Sequence, residues 1–182
     1  MRTYAEIIAE FKNIAENPRK AMEAFKAETG KGAVGILPAH VPEEIVHAAG
    51  YLPIGIWGAQ KKAILPPFAC SLMQSVMELQ LEGVYDELEC VIYSSLCDTL
   101  KCMNQKWHGK TPVIVFTHPQ NRKIAKKAAN VFCREEYAIV KAKLEDILEC
   151  TITNKAMQKS IAVYNENRAA CRKFCDVAAE YA

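Results

Sequence analysis

Apolar residues recur at Tyr4, Ile7, Ile8, Phe11, Ile14 and Ala15, the spacing of one helical face, so residues 3–16 read as an amphipathic helix. Asn17 and Pro18 interrupt it, and Pro18 suits the first turn of a second helix that runs to about residue 29 and ends at Gly30 and Gly32. The run Ala33-Val34-Gly35-Ile36-Leu37 has no polar position and reads as a buried strand. Pro42-Glu43-Glu44 places a proline and two acids in a first helical turn, and Gly50 stops that helix. Leu52 to Trp57 is a second strand, closed by Gly58. A loop with Pro66-Pro67 leads to a helix from about Ser71 to Leu81. Val91 to Ser94 is a third strand, followed by a helix from about Asp98 to Lys106. Pro112 to Phe116 is the most strand-like run of the chain, and two long helices, roughly 122–148 and 154–180, complete it.

Strands and helices alternate through the middle, and the strands are apolar throughout rather than on every second position. That pattern predicts a parallel sheet covered on both faces, an α/β fold of doubly wound type with an N-terminal helical pair and long C-terminal helices. Such sheets bind ligands outside the carboxyl ends of their strands. The predicted elements bring Cys70, Cys97 and the loops around His40, Trp57 and His118 to that edge.

Composition narrows the function classes. The chain of 182 residues is 51% hydrophobic and 24% charged, ordinary for a globular domain. A net charge of +2 is too small to indicate nucleic acid or an anionic membrane as a partner. The densest basic run, Arg122, Lys123, Lys126 and Lys127, fits the solvated face of a helix. No apolar stretch reaches the roughly 18 residues of a membrane span, and the N-terminus lacks a signal-peptide core, so a soluble cytoplasmic protein is expected. Eight cysteines are many, yet no C-x-x-C pair occurs, which leaves out a thioredoxin motif and a zinc knuckle and favours reduced thiols.

Two of those cysteines stand apart. Cys70 and Cys97 each fall where a loop or strand end gives way to a helix, where unpaired backbone N–H groups and the helix dipole favour a thiolate. They read as metal-ligating or nucleophilic thiols, against the plainer alternative of small side chains filling a strand end. Two thiolates at one sheet edge suit a soft metal, but two are too few to hold it. A cysteine–histidine pair is a further option, with His118 as the partner. His47 reads as structural and His108 as surface loop. Cys102, five residues after Cys97 and so about 140° round a helix, reads as packing. Cys90, Cys133, Cys150, Cys171 and Cys175 are read the same way, with Cys171 and Cys175 as a stripe on one helix. Gly30-Lys31-Gly32-Ala33-Val34-Gly35 fits G-x-G-x-x-G in letters but precedes a strand instead of joining strand to helix, so nucleotide binding there is discounted.

Four segments together resemble the 2-hydroxyacyl-CoA dehydratase family. They are Pro42-Glu43-Glu44-Ile45-Val46-His47-Ala48-Ala49-Gly50-Tyr51-Leu52-Pro53-Ile54-Gly55-Ile56-Trp57-Gly58, Phe68-Ala69-Cys70, Cys97-Asp98-Thr99-Leu100-Lys101-Cys102-Met103 and Phe116-Thr117-His118-Pro119-Gln120-Asn121-Arg122. The likeness is greatest to the beta, or D-type, subunit of enzymes acting on 2-hydroxyglutaryl-CoA or 2-hydroxyisocaproyl-CoA. It implies a hydro-lyase of fermenting anaerobes that works as a heterodimer with an alpha subunit. An ATP-dependent activator protein supplies one electron, and a ketyl radical on the acyl-CoA substrate lets the 2-hydroxyl group leave as water. It also implies a four-iron four-sulfur (4Fe-4S) cluster on three cysteines. Cys70 and Cys97 match the first two, and the third comes from a second domain absent from this chain. The expected organisation is N-terminal helices over 1–30, a cluster-binding α/β domain over 31–150 and a linking helix over 151–182. A beta-like subunit is expected to relay the electron, and the chain alone to be inactive. Ala39 and His40 stand where the substrate-binding subunit carries a hydroxyl residue and an aromatic, which points away from direct substrate contact. The rival reading is a non-catalytic α/β scaffold or interaction domain whose cysteines only pack.

Overall fold

The computed structural model describes residues 3–37, 40–57, 68–107, 109–119, 123 and 125–180. The readings at Ala39, Gly58, Pro66-Pro67, His108 and Gln120 to Arg122 lie outside the described residues. Eleven elements are present among those described: α1 (Tyr4–Glu16), α2 (Pro18–Thr29), β1 (Ala33–Ile36), α3 (Glu43–Ala48), β2 (Leu52–Gly55), α4 (Ser71–Leu81), β3 (Cys90–Ser94), α5 (Asp98–Lys106), β4 (Val113–Phe116), α6 (Lys126–Ile147) and α7 (Asn154–Ala179).

The strands form one parallel sheet in the order β2-β1-β3-β4. The chain moves outward from β1 to β2, then crosses back to β3 on the other side of β1. The direction reverses between β1 and β3, which is where a doubly wound sheet opens its ligand crevice. Register is tight there: Ile36 lies opposite both Gly55 and Ile92, and the Leu37 N–H extends the ladder to the Ile92 carbonyl at 3.0 Å.

The apolar runs follow from burial on both faces. Val34, Ile36, Cys90, Ile92, Ile114 and Phe116 point into one core with α3, α6 and the start of α7. Ala33, Val91 and Tyr93 alternate with them into a second core with Met73, Val76 and Met77 of α4 and Leu100 and Met103 of α5. Each fully buried aliphatic side chain contributes roughly 1.5–3 kcal/mol, so the central strands β1 and β3 dominate stability. The edge strands β2 and β4 keep partly exposed positions. Gly35 sits inside β1, where an added Cβ would meet the Ile56 and Leu88 side chains at 2.5 and 2.8 Å. It is therefore a packing glycine and not part of a phosphate loop.

Helix ends obey local chemistry. Thr3 and Glu6 form a capping box on α1, and Thr153 caps α7 by accepting the Ala156 N–H at 3.1 Å. The first turn of the last-but-one helix begins at Lys126, later than the apolar pattern predicts. α1 buries no side chain, and the second half of α7 is likewise exposed. No helix among the described residues is long and apolar enough to cross a membrane.

Candidate functional site

Cys70 is the N-cap of α4 and Cys97 the N-cap of α5. Both backbones are extended, with φ −64° and ψ 144° at Cys70 and φ −135° and ψ 166° at Cys97, the geometry that turns the chain into a helix. Their carbonyls accept the first helical hydrogen bonds, from the Gln74 and Lys101 N–H groups, each at 3.1 Å. The Gln74 side-chain amide turns back to donate to the Ala69 carbonyl at 2.8 Å and fixes the approach to Cys70. Neither thiol makes the side-chain capping bond that serine or aspartate makes at this position. Both are exposed. Neither belongs to the two cores of the described residues.

The two caps flank a single cleft. Phe68 and Ala69, just before Cys70, and Asp98 and Thr99, just after Cys97, line one cavity of about 310 Å3. Met77, Met103, Cys102 and Lys106 complete its wall. Thioethers and a phenyl ring make it apolar, Lys106 and Asp98 bring one charge of each sign, and Lys101 holds Asp98 at 3.0 Å. The first-turn N–H groups of α4 and α5 supply partial positive charge at the two thiols. Among the described residues no three histidine, cysteine or carboxylate side chains lie close enough to hold a metal ion. Cys70 and Cys97 are thus exposed soft donors at two helix starts whose sequence neighbours share one cleft.

Several cysteines depart from the sequence reading. Cys102 is exposed and lines the cleft instead of packing. Cys97 itself, as the N-cap of α5, is not among the residues that line that cleft. Cys171 and Cys175 are exposed on α7 and Cys133 is half-buried, whereas Cys150 packs against the first core as read. Cys90 alone is fully buried, and burial pushes its thiol up to about 12. The signal for the cleft wall was in the sequence: Thr99, Cys102, Met103 and Lys106 share one helical face.

His118 does not join the thiol cleft. Its ring stacks on His40 at 4.6 Å, and both line a second cavity with α3, α6 and α7. His47 is structural as read. Ser160 Oγ spends its one proton on the Glu44 carbonyl at 2.8 Å, so His47 Nδ1–H must donate to Ser160 Oγ at 2.9 Å. Around this joint, burial and then the neighbouring Glu44 charge raise the Glu43 pKa, while Arg168 pairs with Glu44. The clamp of α7 on α3 is a feature that no local pattern marked.

The profile of the family described as 2-hydroxyglutaryl-CoA dehydratase, D-component, matches residues 38–182. The chain is 61% identical over 181 residues to the lactoyl-CoA dehydratase subunit beta of Anaerotignum propionicum, covering 96% of this chain and 48% of that protein. It is 40% identical over 185 residues to the (R)-2-hydroxyglutaryl-CoA dehydratase subunit beta of Acidaminococcus fermentans, with the same coverages. It is 37% identical over 180 residues to the (R)-phenyllactyl-CoA dehydratase beta subunit of Clostridium sporogenes, covering 94% of this chain and 48% of that one. The chain therefore spans about half the length of the curated relatives it matches.

Proposed function

This chain belongs to the 2-hydroxyglutaryl-CoA dehydratase D-component family, and from that membership we propose that it is part of the beta subunit of a 2-hydroxyacyl-CoA dehydratase. In this reading Cys70 and Cys97 hold two corners of a 4Fe-4S cluster, and the third thiolate comes from outside the described residues. A cluster held there supplies one-electron chemistry to an enzyme that removes the 2-hydroxyl group and a carbon-3 hydrogen from its thioester substrate as water. The partners in this reading are an alpha subunit, an ATP-dependent activator and the acyl-CoA, with the beta side relaying the electron.

What this chain's own residues do follows from their chemistry. In this reading Cys70 and Cys97 are the iron ligands, each presented by the extended backbone at the start of its helix. The buried Met77 and Met103 side chains give the cleft an apolar wall.

The observation that carries the reading is that Cys70 and Cys97 are exposed N-caps of α4 and α5 whose neighbours in sequence line one cleft. Iron and sulfide analysis of the anaerobically purified full-length subunit tests it. Cys70→Ala and Cys97→Ala are each expected to lose most of the bound iron while circular dichroism stays native. Full iron in either folded variant would overturn the assignment.

A further inference from the structure

In the cluster reading above, this chain supplies two thiolates and the third arrives on polypeptide from elsewhere. Thiolates that share one iron–sulfur cluster stand within several ångströms of each other, so that polypeptide must come up against the N-terminal ends of α4 and α5. The curated relatives are about twice as long as this chain, which covers 48% of each. We propose that the cleft beside the two helix starts is a socket for an apolar side chain from the second half of the full-length subunit, seated next to the third thiolate. This inference rests on the cluster reading.

The cleft is shaped for such a group. Its volume of about 310 Å3 holds one branched or aromatic side chain and lies at the bottom of the roughly 300–1,000 Å3 range of small-molecule pockets. Met77 and Met103, 3% and 2% exposed, reach its wall from the second core, and their flexible thioethers adapt to an incoming apolar surface. Ala69, Thr99 and Cys102 are small, which leaves the space between them open. The Gln74 amide holds the Ala69 carbonyl at 2.8 Å, so this wall is fixed before anything docks, which lowers the ordering cost of docking.

Charge stays at the rim. Asp98 pairs with Lys101 at 3.0 Å while its own side chain stands in solvent, so the cleft itself calls for no cation. Phe68, two residues before Cys70, is 90% exposed at the lip. An aromatic ring left in water beside buried thioethers gains burial only when another surface covers both.

Cys102 reports on the socket, because it lines the cleft and is not a ligand in the cluster reading. Anaerobic alkylation with N-ethylmaleimide, followed by mass spectrometry, is expected to modify Cys102 about tenfold more slowly in the full-length subunit than in this chain. The slowing is expected to persist in the full-length Cys97→Ala variant, where iron is lost but the docked side chain remains. Filling the socket is the second arm. Cys102→Phe, at an exposed position of α5, is expected to leave the protease resistance of this chain unchanged and to speed cleavage between the two halves of the full-length subunit severalfold. Equal Cys102 alkylation in this chain and the full-length subunit overturns the socket, even where Cys70→Ala and Cys97→Ala lose their iron. Iron kept in those variants overturns the cluster reading instead, and the socket with it. Protection that vanishes in Cys97→Ala assigns the cover to the cluster, and protection that needs an added alpha subunit assigns it to that companion; either result overturns the second half as occupant. Protection in this chain that grows with its concentration assigns it to a second copy and overturns it likewise, as does unchanged cleavage of the full-length Cys102→Phe variant.

Discussion

At the residue scale, the same thiol group has three different chemistries in this chain, and position decides which. Cys90 lies in β3 with no exposure, and burial, with a smaller push from Glu89, favours its neutral form. Cys70 and Cys97 stand at helix starts and Cys102 in a cleft wall, all exposed. Native-state alkylation at pH 8 followed by mass spectrometry is expected to modify Cys70, Cys97 and Cys102 quickly and to leave Cys90 untouched until the chain unfolds. The sign of the pH effect follows from the raised value. Cys90 is neutral in the fold, so its contribution is fully present below the ordinary 9.0 and lost as pH rises toward about 12. Cys90→Val is expected to flatten the alkaline loss of stability across that window, read from denaturant midpoints. Special thiols at 70 and 97 were legible in sequence because a helix start is a local event. The exposure of Cys102 was not, because it depends on how α4 and α5 separate at their N-terminal ends.

At the scale of elements, the docking of α7 on α3 is held by a polar joint between residues more than a hundred positions apart. Ser160 is 1% exposed, donates to the Glu44 carbonyl and accepts from His47. Tyr164 meets the His47 ring edge-on at 5.7 Å, and Arg168 closes the joint on Glu44. Ser160→Ala removes the hydroxyl that serves both the Glu44 carbonyl and the His47 ring, at a cost of about 1–3 kcal/mol. The expected outcome is a lower urea midpoint with an unchanged slope, and faster amide exchange along α7. A midpoint equal to that of the parent would remove this joint from the account. The strands and the helix periods were visible because burial on two faces demands continuous apolar runs and a helix on a surface demands a stripe. The polar joint was invisible, since serine, histidine and arginine at ordinary helical positions look the same whether solvated or engaged.

At the scale of the molecule, α1 and the end of α7 leave large apolar side chains uncovered. Tyr4 and Phe11 of α1 are 80% and 62% exposed, and Phe174 of α7 is 72% exposed. Stripes of that kind promote association, so sedimentation velocity over a concentration series is expected to show a species heavier than the monomer; a single monomer boundary at every concentration would refute this. The sequence by itself determined the order of strands and helices, the double coverage of the sheet, and the two helix starts that carry Cys70 and Cys97. Each of these is set by periodicity, capping and burial within a short stretch of chain. Tertiary structure alone decided that the residues next to both caps share one cleft, that Cys102 lines it, and that His118 turns away to stack on His40 across the other face. Those outcomes depend on the crossing from β2 back over β1 to β3, which sends α4 and α5 to one side and α3 to the other, and no local pattern encodes that distance.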